Sequence, residues 1–139
     1  MTYEETLHYL YTSIPVFQHS GASAYKPGLG TSIALDDYLG NPHKAYKTIH
    51  VAGTNGKGSV SHLLAAILRQ SGFKVGLYTS PHLVDFRERI RVNGKKISQD
   101  YVVDFVERHR SFFEPLHPSF FELTSSMAFE YFRDQQVDY

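Results

Sequence analysis

The chain has 139 residues, enough for one ordinary globular domain, and 42% hydrophobic against 20% charged residues sets it among folded rather than disordered chains. Fourteen basic side chains balance fourteen acidic ones, which removes the broad electrostatic case for a nucleic-acid or membrane-surface protein, and the absence of cysteine excludes disulfides, thiol catalysis and Cys-based metal centres. The longest apolar run, Leu63–Leu68, falls far short of the roughly 20 residues of a membrane span, and Met1–Glu5 shows no basic, apolar leader, so a soluble cytoplasmic domain is expected.

Thr2 followed by Glu5 is a capping-box pattern, and Tyr3, Leu7, Leu10 and Tyr11 then share one face, which predicts a short first helix. From Ser13 to Lys47 the chain is broken repeatedly by Pro15, Gly21, Pro27, Gly28, Gly30, Gly40 and Pro42. That leaves room for a brief helix near Ile33–Leu39, ended by Gly40. Thr48–Ala52 reads as a buried strand. After a glycine-rich turn, Val60, Leu63, Leu64, Ile67 and Leu68 repeat at helical spacing up to Gly72, and Lys74–Tyr78 reads as a second strand. Strand, helix, strand is a βαβ unit, so its two strands are expected parallel, with a right-handed crossover.

Farther on, Arg87–Val92 alternates polar and apolar residues, and Asn93-Gly94 signals a type I′ hairpin into Lys95–Ile97. Ser98 can cap a helix whose Val102, Phe105, Val106, His109, Phe112 and Phe113 form a stripe. Ser119 and Glu122 make a second capping box, opening a helix that is apolar nearly all round. Val137-Asp138-Tyr139 looks like the first step of another strand.

The sharpest signal is Gly53-Thr54-Asn55-Gly56-Lys57-Gly58-Ser59, between a predicted strand and a predicted helix. Glycines let the backbone fold so that successive N–H groups point at one anion, and the helix N-terminus adds partial positive charge. Lys57 can neutralise terminal phosphates, and Ser59 can offer a hydroxyl to a phosphate-bound Mg²⁺. The usual phosphate-loop spacing is not met. With Gly56-Lys57 as its Gly-Lys, the first glycine should fall at Val51, and Gly58 follows the lysine in place of Ser or Thr. A glycine-rich connection without a ligand is the competing reading. Three glycines, a lysine and a serine within seven residues argue against it.

The string Val51–Ser59 closely resembles the phosphate loop of folylpolyglutamate synthases and dihydrofolate synthases, in the Mur ligase superfamily, where Gly58 between lysine and hydroxyl marks the folate branch. Three further stretches fit the same family: Ala24–Leu29 with Leu39–His43, Tyr78–Leu83 with Glu88-Arg89-Ile90, and Phe121-Glu122 with Thr124. The resemblance runs through nearly the whole chain in order.

The resemblance implies an α/β, P-loop, Mur-ligase-like ATPase domain, of which residues 1–139 are the N-terminal part, with an incomplete, mainly parallel sheet. It implies an ATP-dependent ligase that activates a folate or dihydropteroate carboxylate as an acyl phosphate and joins it to L-glutamate. Lys57 would be the catalytic residue, and Gly53, Thr54, Asn55, Gly56, Lys57, Gly58 and Ser59 would hold the nucleotide. Ser80 and Ser59 would be Mg²⁺ ligands, and Ser80, Pro81 and His82 would lie beside the substrate. By the same resemblance, a Mg²⁺-binding glutamate, a metal-binding histidine and a C-terminal glutamate-ligase domain lie beyond Tyr139. The isolated chain is therefore expected to lack ligase activity and to bind nucleotide weakly. No nucleic-acid or membrane partner is implied, and the family is mostly monomeric.

Other readings stay open beside this one. A kinase or GTPase of another P-loop class is one alternative, and a non-catalytic nucleotide-binding or interaction fragment is another. Glu122 completes a cap, and that reading outweighs direct catalysis. Arg87, Arg89 and Arg91 fall on one face of the expected strand, where they either attract an anionic ligand or form a solvated edge. His50 and His109 read as packing residues, and His82 is the histidine placed for substrate contact. Tyr25 and Lys26 either touch substrate or anchor their loop.

Overall fold

The computed structural model describes residues 1–14 and 28–139. Tyr25, Lys26 and the Ala24–Pro27 part of the upstream motif lie outside the described residues. The elements are α1 (Tyr3–Ser13), α2 (Gly30–Leu39), a 3₁₀ turn (Pro42–Ala45), α3 (Lys57–Gln70), β1 (Gly76–Tyr78), a 3₁₀ turn (Phe86–Arg89), β2 (Ile90–Val92), β3 (Lys95–Lys96), α4 (Gln99–Phe113), a 3₁₀ turn (Glu114–Leu116) and α5 (Phe120–Asp134). The chain is thus α/β. It divides into one unit of Met1–Asn41 with Gln99–Met127 and a second of Pro42–Ser98 with Ala128–Tyr139. No described helix is long and apolar enough to cross a membrane.

The first unit is helical, and its helix ends follow local chemistry. Thr2 Oγ1 accepts from the Glu5 N–H at 3.1 Å while the Glu5 carboxylate accepts from the Thr2 N–H at 2.8 Å. Ser119 and Glu122 repeat this reciprocal pair at 3.1 Å each way, opening α5. Gly40 ends α2 in the left-handed conformation, φ 84°, which costs glycine no Cβ clash. Val102, Phe105, Val106, His109 and Phe113 are the buried stripe of α4, against which α1 packs. Tyr38 stacks on Phe112 with ring centroids 3.9 Å apart and meets the His109 ring edge-on at 5.3 Å, so His109 is a packing residue, as expected.

The second unit holds a three-stranded sheet in the order β1-β2-β3. Gly76 faces Val92 and Tyr78 faces Ile90, both pairs antiparallel, and Val92 faces Lys95 across the hairpin. Asn93 (φ 48°) and Gly94 (φ 81°) take the two positive-φ positions that a type I′ turn requires. Asn93 Oδ1 accepts from the Val75 N–H at 2.9 Å, and the Asn93 N–H donates to the Val75 carbonyl at 2.8 Å, locking the turn to the residue before β1. A Cβ on Gly76 would sit 2.6 Å from the Phe132 ring, so this close approach needs glycine.

Two expectations are corrected here, in a unit whose three described strands all pair antiparallel. Thr48–Ala52 forms no strand, and Ile49 and His50 are exposed rather than buried; α3 has no buried residue, with Val60, Leu63 and Ile67 exposed and Leu64 and Leu68 half-buried. A buried strand needs partners and a covered face, and residues 48–52 are mostly exposed. Arg87 and Arg89 lie in a 3₁₀ turn because Asp85 and Glu88 form a capping box there, overriding the strand-like alternation.

Candidate functional site

The glycine-rich loop lies in the second unit and leads directly into α3. Gly56 is the N-cap residue, left-handed at φ 76°, with no side-chain cap. Because the first bond of the helical ladder is Val60 N–H to Gly56 O at 3.0 Å, the N–H groups of Lys57, Gly58 and Ser59 precede the ladder. A Cβ at Gly56 or Gly58 would meet nothing within 4 Å, and Thr54, Asn55 and Ser59 are exposed. The helix start therefore opens onto free space, with donors and a partial positive charge facing it. Lys57 Nζ donates to the Gly53 carbonyl across the loop. The arrangement sets three N–H groups that precede the helical ladder beside one ammonium, the donor set that an anion would need.

A second loop leaves β1 after Tyr78. Its base is closed by the Thr79 N–H, which donates to the Arg89 carbonyl at 2.9 Å, and the Ser80–Pro81 peptide is cis. Ser80 and Pro81 are exposed, while His82 is half-buried. Arg89, buried at 5% exposure, donates from Nε to His82 Nδ1 at 2.8 Å. Burial chiefly, and then the Arg89 charge, lower the His82 pKa. With Nδ1 accepting, the neutral ring carries its proton on Nε2.

The three arginines do not share a face. Arg87 pairs with Asp85 at 3.2 Å and donates to the Ile97 carbonyl at 3.3 Å. Arg89 turns inward to His82, and Arg91 donates to the Glu88 and Gly94 carbonyls at 3.3 and 3.4 Å. Each braces local backbone or a loop residue. Glu122 serves as a cap, as described above.

The local role of Glu88 was not read from the sequence. The Glu88 carboxylate accepts from the consecutive N–H groups of Leu83, Val84 and Asp85, at 3.0, 3.1 and 2.7 Å. The Leu83 N–H first, then that of Asp85, hold its pKa down to about 2. Burial opposes ionisation of Asp85, but the Arg87 N–H and the Lys96 ammonium outweigh it and leave that pKa lowered. The signal available was the Asp85-x-x-Glu88 spacing, a capping-box pattern inside an apparent strand.

As a metal site the donor set is sparse. Among the described residues no three His, Asp or Glu side chains converge. The hydroxyls of Ser59 and Ser80 fit only as auxiliary ligands to an ion held mainly by phosphate oxygens.

No protein-family model matches the chain. It is 40% identical over 121 residues to the dihydrofolate synthase/folylpolyglutamate synthase of Bacillus subtilis, an alignment covering 82% of this chain and 28% of that protein. The folylpolyglutamate synthase of Thermotoga maritima has a crystal structure similar at a TM-score of 0.85 and 45% identity, over 98% of this chain and 31% of that one. A folylpolyglutamate synthase solved as its AMPPCP–folate complex is similar at a TM-score of 0.83 and 34% identity, over 99% of this chain and 34% of that one. The chain therefore spans about a third or less of the length of each.

Proposed function

The chain belongs to the folylpolyglutamate synthase/dihydrofolate synthase family, matching the N-terminal region of its members, and from that membership we propose that it is the N-terminal part of the ATP-binding domain of a folate:glutamate ligase. The ligase transfers the γ-phosphate of ATP to a carboxylate of a reduced folate or of dihydropteroate. The amino group of L-glutamate then displaces phosphate from the acyl phosphate and forms the amide.

The observation that carries this reading is the uncapped start of α3 behind left-handed Gly56, with Lys57 in its first turn. Phosphoryl transfer asks little covalent chemistry of a protein and much positioning and charge stabilisation. Gly53, Thr54, Asn55, Gly56, Gly58 and Ser59 present backbone donors to the phosphates, and Lys57 exchanges the Gly53 carbonyl for the transferring phosphoryl group. That a similar synthase was solved with the ATP analogue AMPPCP and folate supports this assignment. Mg²⁺, when bound, neutralises charge between phosphate oxygens, and the Ser59 and Ser80 hydroxyls would complete its shell. Ser80, Pro81 and His82 then face the folate side.

The mainly parallel sheet belongs to this proposal as well. Tyr139 N–H donates to Lys74 O at 3.4 Å and Gly76 N–H to Tyr139 O at 2.9 Å, the flanking pattern of a parallel pair around Val75. The protein is proposed to act in the cytoplasm. The relatives bear folylpolyglutamate and dihydrofolate synthase names, which disfavours the kinase and GTPase readings.

The test is product formation by the full-length protein. Mass spectrometry after incubation with ATP, Mg²⁺, glutamate and either tetrahydrofolate or dihydropteroate should reveal a glutamylated product. No product from either acceptor contradicts the proposal.

A further inference from the structure

We propose that Glu88 is a positioning residue for the folate substrate: by gathering three consecutive N–H groups on one carboxylate it fixes the Ser80–Val84 loop, with Leu83 and Val84 as the loop's apolar substrate contacts. The inference rests on the folate reading above and adds to it the residue that sets the loop and the residues that meet the ring system.

Three observations converge. Consecutive N–H groups reach one acceptor only when the backbone turns tightly around it, and those of Leu83, Val84 and Asp85 all reach Glu88. The loop is tied twice more, through Arg89 to His82 and through the Thr79 N–H to the Arg89 carbonyl. Yet the side chains at its tip are almost wholly open, Leu83 at 92% and Val84 at 90% exposure. Two large apolar side chains on a pinned backbone beside Ser80 and His82 form a prearranged contact for a flat, largely apolar ring system. Polar groups at the same loop supply orientation, as small-molecule sites require. Rigid presentation also limits the ordering cost of binding.

The experiment is steady-state kinetics of the full-length protein with Glu88→Ala, Glu88→Gln and Leu83→Ser, read with amide hydrogen exchange. Glu88→Ala is expected to raise KM for the folate substrate about tenfold or more, from the loss of charged-acceptor hydrogen bonds, while KM for ATP holds. Glu88→Gln keeps one carbonyl acceptor and should fall between. Leu83→Ser, at an exposed site where folding is not at stake, should raise the folate KM alone. Exchange protection at residues 83–85 should vanish in Glu88→Ala and persist elsewhere. Parallel rises in both KM values, or an unchanged folate KM once protection is lost, overturn the proposal. If the wild-type protein turns over no folate, the functional reading falls, whereas amide exchange still decides whether Glu88 sets the loop.

Discussion

Lys57 and Glu88 place charge in opposite ways. Lys57 bridges its own loop by donating to the Gly53 carbonyl, at the uncapped start of α3. Glu88 has its partners already, and they are backbone N–H groups. Its folded pKa of about 2 lies below the ordinary 4.5, because those N–H groups favour the charged form. A depressed carboxyl contributes stability that is present above the unfolded pKa and is lost as pH falls through the folded one. Exchange protection factors at residues 83–85 should therefore be constant from neutral pH to near 4.5 and collapse as pH approaches about 2. Protection lost close to neutrality would contradict this. The turn of the Gly53–Ser59 loop into α3 was legible in the sequence because glycine, lysine and helix start are adjacent. The Glu88 grip was not, because an alternating Arg87–Val92 pattern looks like a strand until Asp85 and Glu88 are read together as a cap.

At the scale of elements, what depends on near neighbours was readable. Thr2 with Glu5, Ser119 with Glu122, and Asn93-Gly94 each specify a helix start or a turn within a few residues, and each forms as the spacing predicts. What depends on distant cover was not readable: Thr48–Ala52 has a strand's composition, but a strand also needs partners and a covered face. Gly76 is a further case, since its need for glycine comes from Phe132, distant in sequence. Gly76→Ala forces a Cβ onto a ring held in place and should cost about 1–3 kcal/mol. Thermal denaturation of Gly76→Ala with and without Phe132→Leu tests this. The predicted result is a lowered Tm in the single variant and partial recovery in the double. Additive losses would contradict it.

Across the whole molecule, two helices with similar apolar spacing have different surroundings. In α4 the stripe is buried, with Val102 and Val106 fully so, whereas in α3 Leu63 is 64% and Ile67 61% exposed. Periodicity announces an apolar face and says nothing of what lies against it, so both helices read alike in the sequence. For the 139-residue chain, Phe105→Ala should cost about 3–5 kcal/mol by leaving a core cavity. Leu63→Ser should change stability by no more than about 0.5 kcal/mol, as exposed sites do. Comparable losses in denaturant unfolding of the two variants would contradict this contrast. Function is tested most directly by phosphate release from ATP in the full-length protein, with the folate acceptor and glutamate each present or omitted, for wild type and Lys57→Ala. The predicted result is release that requires both substrates and falls by about 10²–10³ in Lys57→Ala, the scale of losing one preorganised charge-stabilising group. Release indifferent to folate and glutamate, or unchanged by the substitution, would contradict it.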